Sequence, residues 1–279
     1  MRVLVIGSSG FIGRHLTAEL TSRGHGLVAT SLSGRLGPCL DVADVDSCCR
    51  VIEAVAPEVV VNLAGAGVTA GSASDEDMVR TNSDGPTNVA RAGVRCGARI
   101  VHVGSSTEPL LGMPAESFYS LTKAEGTVRI AKLMSANPRS ITVARVHNAY
   151  GPGQPRGRFI IDLVKAVSAG KELQVRFPDR IRDFCEVGDV VRALSDLIED
   201  PATSDRSFDI GTGTGTSLRE AALLVQEIFG VRGGRVRLAG GAAADPARSS
   251  VAGDAGMEIV PCGTTLLNGL TMLARRGNP

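Results

Sequence analysis

The sequence predicts an α/β fold, a doubly wound parallel sheet with a smaller C-terminal α+β lobe. Three observations carry that expectation. Short apolar runs alternate with amphipathic stretches through the first half of the chain, the rhythm of βα units. The runs are continuous, as strands buried on both faces require. A glycine-rich turn joins the first run to the first amphipathic stretch, where a parallel sheet opens its first crossover. The 279 residues suffice for one large domain or two coupled lobes. With 43% hydrophobic and 21% charged residues, the chain is globular and not disordered.

Residues 3–6 form the first predicted strand. Ile12, Leu16 and Leu20 mark one face of a helix, which Gly24 ends just past its C-cap. Residues 27–31 read as the second strand. Asp44 caps a helix to about Val55, Pro57 breaks the chain, and residues 59–63 are the third strand. A helix over 82–96, a strand over 99–103, a long helix over 119–135 and a strand over 141–146 complete a first domain of residues 1–150. Gly151-Pro152-Gly153-Gln154-Pro155 is a loop of strong breakers. A helix over 159–169 follows, then strands over 184–187 and 208–210 with a helix over 189–199 between them. A segment of about 186–211 is expected to return to the first domain. Ser217-Leu218-Arg219-Glu220 is a capping box opening a helix to Phe229. The Gly- and Ala-rich residues 233–254 read as loop, so 151–279 mainly build the second lobe.

Composition excludes several function classes. Thirty Lys and Arg against 29 Asp and Glu leave a net charge of +1, with no global field for nucleic acid or an anionic membrane. Aromatics are 3% with no Trp, too few for a base-stacking surface. No apolar run approaches the ~18–20 residues of a membrane span. The chain starts directly on a strand, without a signal-peptide pattern. Six scattered Cys form no C-x-x-C, which implies reduced thiols and a cytoplasmic protein. Four isolated His offer no metal-ligand spacing, so no metal is expected.

The opening turn is Gly7-Ser8-Ser9-Gly10-Phe11-Ile12-Gly13, between a strand and a helix. Glycines there let the backbone approach a pyrophosphate, and the helix presents free N–H groups to that anion. This predicts a Rossmann-type dinucleotide site. The second strand ends in Thr30-Ser31-Leu32-Ser33-Gly34-Arg35, with no carboxylate to repel a 2′-phosphate. Ser31, Ser33 and Arg35 offer hydrogen bonds and a charge to that phosphate, which favours NADP(H), with NAD(H) as the alternative. Arg35 as a solvated loop residue is the competing reading.

Tyr119 and Lys123 are four apart and share a helix face. A free phenol, with a pKa of about 10, is too basic for neutral acid–base work, and a nearby ammonium lowers it. Tyr119 can thereby exchange a proton with a carbinol or carbonyl oxygen; a surface helix pair is the competing reading, against which the chain has only two Tyr. The preceding strand ends in Gly104-Ser105-Ser106-Thr107, whose hydroxyls can bond the same oxygen.

The ordered set of Gly7-x-x-Gly10-x-x-Gly13, Asp41-Val42, Asn62-Leu63-Ala64-Gly65, Asn82, Gly104-Ser105-Ser106, Tyr119-x-x-x-Lys123, Arg145-x-x-Asn148-x-Tyr150-Gly151-Pro152 and Arg182-Asp183-Phe184 with Val187-x-Asp189 covers nearly the whole chain. It resembles the extended short-chain dehydrogenase/reductases, the NAD(P)-dependent epimerase/dehydratase family acting largely on nucleotide sugars. The resemblance implies that Asp41 and Val42 contact the adenine, and that Ala64, Gly65 and Ala66 lie beside the cofactor ribose and phosphates. It makes Tyr119 the acid/base and Lys123 the ligand of the nicotinamide ribose. It places Asn148, Arg182 and Arg248 on the substrate diphosphate, with a surface ion pair as the alternative for each Arg. It also implies a homodimer.

The chain departs from that pattern around its catalytic hydroxyl. The segment from Ser105 to Tyr119 is short, and Leu111-Gly112 replaces an aromatic-Gly pair. Counting from the strand end selects Ser105 or Ser106, whereas counting back from Gly112 selects Thr107. Family dehydratases carry an Asp-Glu pair after the hydroxyl, and Glu108-Pro109 leaves that pair incomplete. His147 resembles the His of members that epimerise and reduce, but their Cys is missing, so His147 reads as structural. Gly211-Thr212-Gly213-Thr214-Gly215-Thr216 lacks the Lys-Ser/Thr of a P-loop and reads as a connector. The leading expectation is an NADPH-dependent reductase of a keto group on a nucleotide-linked deoxysugar. A nucleotide-sugar epimerase or dehydratase retaining NAD is the alternative, and a non-catalytic dinucleotide sensor is a third reading.

Overall fold

The computed structural model describes residues 1–69, 71–109, 114–230, 235–239 and 251–276. The chain divides into two compact units, one of Met1–Val146 with Val191–Asp209, the other of His147–Val190 with Ile210–Pro279.

The first unit opens with β1 (Arg2–Ile6), α1 (Phe11–Ser22), β2 (Gly26–Thr30), α2 (Val45–Val55) and β3 (Val59–Asn62). Next come α3 (Asp75–Met78), a π-helical segment (Val79–Asp84), α4 (Gly85–Arg95), β4 (Arg99–Ser105), α5 (Phe118–Ala136) and β5 (Ile141–Val146). Every residue of β3 and β5 is buried, which explains why both are apolar apart from Asn62, Thr142 and Arg145. In α1 the buried face is Gly13, Leu16 and Leu20, while the expected Ile12 is only half-buried. The helix turns its glycine, not its isoleucine, toward the sheet. Gly24 follows the Arg23 C-cap at φ +81°, where glycine carries no Cβ penalty. Asp44 caps α2 by accepting the Asp46 N–H at 2.9 Å.

The helix expected over 82–96 starts earlier, with a Ser74 capping box on α3. It then widens into the π-helical segment. Pro86 has no N–H to give the carbonyl four residues back, at Asn82. The same carbonyl faces α5, where a Cβ on Gly126 would stand 2.1 Å from the Asn82 oxygen. The π turn therefore presses the Asn82 peptide against α5.

The second unit adds β6 (Asn148–Tyr150), α6 (Phe159–Ser168), β7 (Glu172–Val175), β8 (Ile181–Arg182), β9 (Phe184–Glu186), β11 (Thr216–Ser217), α8 (Leu218–Phe229), β12 (Arg235–Leu238), β13 (Glu258–Pro261) and α9 (Leu266–Arg275). α7 (Val187–Glu199) and β10 (Ser207–Gly211) each cross the division between the units. The expected box of Ser217 and Glu220 caps α8 in both directions. β12 falls within residues 233–254, which the sequence presents as loop. In this unit β6 pairs with β9 and β12 with β7, both in parallel, and β11 pairs with β8 in antiparallel. Tyr150, Leu163, Phe184, Val225 and Leu270 form its core.

The central sheet has seven strands in the order β13-β10-β5-β4-β3-β1-β2. β1 pairs in parallel with β2 on one side and β3 on the other. The crossover from β1 runs to β2 and the next one runs back past β1 to β3, so the loops above the C-terminal end of β1 part and open a crevice. The glycine turn lies at that end.

The threonine-glycine run after β10 is an inward-facing turn. Asp183, fully buried, accepts the Thr212 N–H at 3.0 Å, the Thr212 hydroxyl at 2.6 Å, the Gly213 N–H at 2.9 Å and the Ala252 N–H at 3.2 Å. Those N–H groups are already used by the protein's own carboxylate, so they do not cradle a phosphate.

Candidate active site

Gly7 has φ +80°, and a Cβ there would come within 3.0 Å of the Ala64 nitrogen. A Cβ on Gly13 would stand 2.3 Å from the Gly7 oxygen. Two glycines thus let α1 dock on the turn while the turn passes close to β3. Ser8 ties the turn to β2, its hydroxyl donating to the Thr30 carbonyl at 2.8 Å. Gly10 is the N-cap of α1 and supplies no side-chain acceptor to that helix's first N–H groups. Phe11 and Ile12 lie half-buried on its first turn, with the Arg14 guanidinium 5.7 Å from the Phe11 ring centre.

Beyond β2, Ser31 is buried and its hydroxyl lies 3.3 Å from that of Ser33. Arg35 is exposed and forms no ion pair among the described residues. Asp41 uses one carboxylate oxygen to accept the Ala43 N–H at 2.9 Å. Val42 is buried against Gly85, and its carbonyl accepts from the Asn88 amide at 2.9 Å.

Asn82 braces the next loop. Its amide oxygen accepts the Ala66 N–H, and its amide nitrogen donates to the Ala66 carbonyl, both at 2.9 Å. That nitrogen also donates to the Thr122 hydroxyl at 3.1 Å, and the Asn62 side chain accepts the Ala64 N–H at 3.1 Å. One fully buried amide therefore fixes the Ala64, Gly65 and Ala66 loop to α5 beside Lys123. The sequence carried Asn82 only as part of a resemblance.

At the end of β4 the Ser105 and Thr107 hydroxyls lie 2.8 Å apart and both residues are half-exposed. Ser106, between them, is 7% exposed. Ser117 caps α5 with a reciprocal box to Ser120, which starts that helix at Phe118. Tyr119 is half-buried in its first turn, one turn ahead of Lys123. Lys123 is 4% exposed, and its ammonium donates to the Val103 carbonyl at 2.9 Å. Burial lowers its pKa, opposed by the charge of Glu108. Glu108 is buried as well, and one carboxylate oxygen accepts the Ser105 N–H at 2.6 Å. Burial raises its pKa, opposed chiefly by Lys123. The incomplete acid pair thus ends in a carboxylate turned into the interior.

Within the second unit, Asn148 donates its amide to the Asp183 carbonyl at 3.3 Å. Arg182 is half-buried on β8, with its guanidinium on the Ile181 carbonyl at 2.8 Å. Arg248 and Leu111-Gly112 lie outside the described residues. His147 is buried. The other tyrosine, Tyr150, is 1% exposed beneath Gly269, where a Cβ would meet its hydroxyl at 1.9 Å. Tyr119 is therefore the one accessible phenol of the chain. Among the described residues no group of three or more His, Cys, Asp or Glu could hold a metal ion, and no helix is long and apolar enough to cross a membrane.

Residues 3–211 match the model of the NAD dependent epimerase/dehydratase family. The chain belongs to that family. It is accordingly an NAD(P)-dependent enzyme, an oxidoreductase or an epimerase/dehydratase. The dTDP-6-deoxy-L-talose 4-dehydrogenase (NAD(P)(+)) of Kitasatospora kifunensis is 27% identical over 82% of this chain and 80% of its own. The UDP-glucose 4-epimerase of Mycolicibacterium smegmatis is 30% identical over 79% of this chain and 80% of its own. Among solved structures, the UDP-glucose 4-epimerase of Thermus thermophilus in complex with NAD superposes with a TM-score of 0.81, at 21% identity, over the full length of both chains.

The turn fits the family's nicotinamide dinucleotide because side chains are missing where the backbone must approach a pyrophosphate. Gly13→Ala tests that fit. Its Cβ forces α1 away from Gly7, so dinucleotide affinity is expected to collapse and stability to fall by about 1–3 kcal/mol. Cofactor titration and thermal unfolding read the two effects. A variant that binds the dinucleotide as the parent does would refute the cradle.

Proposed function

We propose that this enzyme reduces a keto group on a nucleotide-linked deoxysugar, with Tyr119 as proton donor. The observation that carries the reading is one accessible phenol set a helical turn before a buried ammonium, at the end of β4 where two hydroxyls meet. Bound NADPH supplies the hydride. Lys123, one helical turn along α5 from the phenol, holds the nicotinamide ribose. Tyr119 delivers its proton to the carbonyl oxygen as charge develops there. Ser105 and Thr107, already sharing a hydrogen bond, orient that oxygen, and Ser105 is the hydroxyl we assign. Burial disfavours Ser106 for the role. The inward turn of Glu108 argues against dehydration, since the carboxylate next to the hydroxyls is buried. Asn148 and Arg182 are the proposed diphosphate ligands.

The cofactor preference rests on the loop after β2. It presents two hydroxyls and the free guanidinium of Arg35 and no carboxylate. Arg35→Ala is expected to weaken NADPH about tenfold and NADH hardly at all, by fluorescence titration. Equal losses would remove Arg35 from the phosphate.

The names of the two relatives support a nucleotide sugar as substrate, and they divide on the reaction. The 4-dehydrogenase favours net redox chemistry, whereas the epimerase, at 30% identity, favours a second reading in which one carbon is oxidised and re-reduced on a retained NAD. Incubation with NADPH and a 4-keto sugar nucleotide separates them. Stoichiometric NADPH consumption supports reduction. Copurified NAD with no net consumption supports epimerisation. Free thiols at all six cysteines support a cytoplasmic site of action. Leu121 and Val128, about half-exposed on α5, support a homodimer, which light scattering would measure.

A further inference from the structure

Lys123 lies in the interior of the first unit, where an unneutralised ammonium is costly. Four groups share its side of the sheet. His102 on β4 is 1% exposed, and neither ring nitrogen has a partner among the described residues. Burial and the Lys123 charge keep that imidazole neutral, its pKa well below the usual value. Arg145 on β5 brings a second positive charge, and Asp209 on β10 answers that charge at 3.5 Å. Glu108, in the turn after β4, is the remaining group: its carboxylate lies over Gly104 and grips the Ser105 N–H, next along the strand from the Val103 carbonyl that holds the Lys123 ammonium, and its charge acts on Lys123.

Local geometry keeps Glu108 in place. Its N–H donates to the Ser105 carbonyl at 3.1 Å, and its carboxylate returns to the Ser105 N–H at 2.6 Å. The turn is closed twice over one residue. The carboxylate lies over Gly104, where an added Cβ would stand 2.8 Å from its oxygen and 3.2 Å from Cγ of Arg145. Glycine at 104 therefore makes the space that the carboxylate occupies. The peptide it grips carries the Ser105 hydroxyl, which accepts the Thr107 N–H at 3.2 Å.

We propose that Glu108 is a positioning residue of the active site: its buried carboxylate supplies the countercharge that keeps Lys123 an ammonium, and it pins the peptide bearing the Ser105–Thr107 hydroxyl pair. It does not touch substrate or cofactor. The proposal rests on the catalytic reading of Tyr119 and Lys123 given above.

The chain has four lysines, at 123, 132, 165 and 171, so side-chain carbon NMR of lysine-labelled protein can follow each ammonium. Lys123 is identified by its loss in Lys123→Met. In the parent its titration midpoint is expected below the ordinary lysine value, because the ammonium is buried. Removing the nearby anion destabilises the charged form, so Glu108→Gln is expected to lower that midpoint by about one pH unit or more. Glu108→Asp keeps the charge and is expected to keep the midpoint near the parent value. If Glu108→Gln does not fold, Gly104→Ala displaces the carboxylate instead and is expected to move the midpoint the same way.

Turnover with NADPH and a 4-keto sugar nucleotide supplies a second readout. The ammonium is lost as pH rises through its midpoint, so the high-pH limb of kcat is expected to move down with that midpoint, while KM for NADPH stays nearly constant. A Lys123 midpoint unmoved by loss of the carboxylate overturns the proposal. So does a fall in kcat with no displacement of the limb, which a merely structural role would give. If Tyr119→Phe keeps full turnover, the catalytic reading fails while the lysine titration still reports the countercharge. The two failures are thus distinct.

Discussion

Tyr119→Phe is expected to lower turnover by about 10²–10⁴-fold and to leave NADPH affinity nearly unchanged. That span is the usual contribution of a positioned acid or base. The substitution removes one oxygen from a half-buried side chain at the first turn of α5, whose start is fixed by the box of Ser117 and Ser120. The helix and the Lys123 anchor on Val103 are expected to survive. A change in kcat without a change in cofactor binding would thus isolate proton transfer. No other phenol can replace it, since Tyr150 is sealed in the core of the second unit. Measured kcat and a fluorescence titration decide the matter. Undiminished turnover would remove Tyr119 from the chemistry.

Asp183→Ala is expected to cost on the order of 3–5 kcal/mol of stability, the largest structural effect of any substitution considered. The carboxylate accepts three backbone N–H groups and one hydroxyl from Thr212, Gly213 and Ala252. Each donor left buried without a partner pays its own desolvation cost. Gly211 adds a steric demand, because a Cβ there would meet the carboxylate at 2.7 Å. Thermal unfolding together with hydrogen exchange at 211–216 would show the turn opening first. Parent-like melting would mean that water satisfies those donors.

Much of the first unit was legible because its strands are mainly apolar runs and Asp44 marks the start of α2. β5 runs over the expected 141–146, and α5 differs from the expected span by one residue at each end. The π-helical segment was not legible, since Pro86 reads equally well as an ordinary helix start. In the second unit, strands of two to four residues such as β8 and β12 are too short to show a period. The candidate site followed the same division. Tyr119 and Lys123 were visible because their spacing alone places them on one face. Glu108 was visible only as half of a missing acid pair, because chain position does not say which way a carboxylate turns. That direction depends on the space left by Gly104 and on the Ser105 N–H, both of which require the folded strand end. The inward use of the Gly211–Thr216 donors likewise depends on Asp183, almost thirty residues earlier.

The enclosure of Tyr150 has a practical consequence for spectroscopy. The chain contains two tyrosines and no tryptophan. Burial raises the pKa of Tyr150. The tyrosine absorbance that solvent or a bound ligand can perturb therefore belongs to Tyr119, since Tyr150 is 1% exposed. The fold has given the enzyme an intrinsic optical reporter at its proposed proton donor.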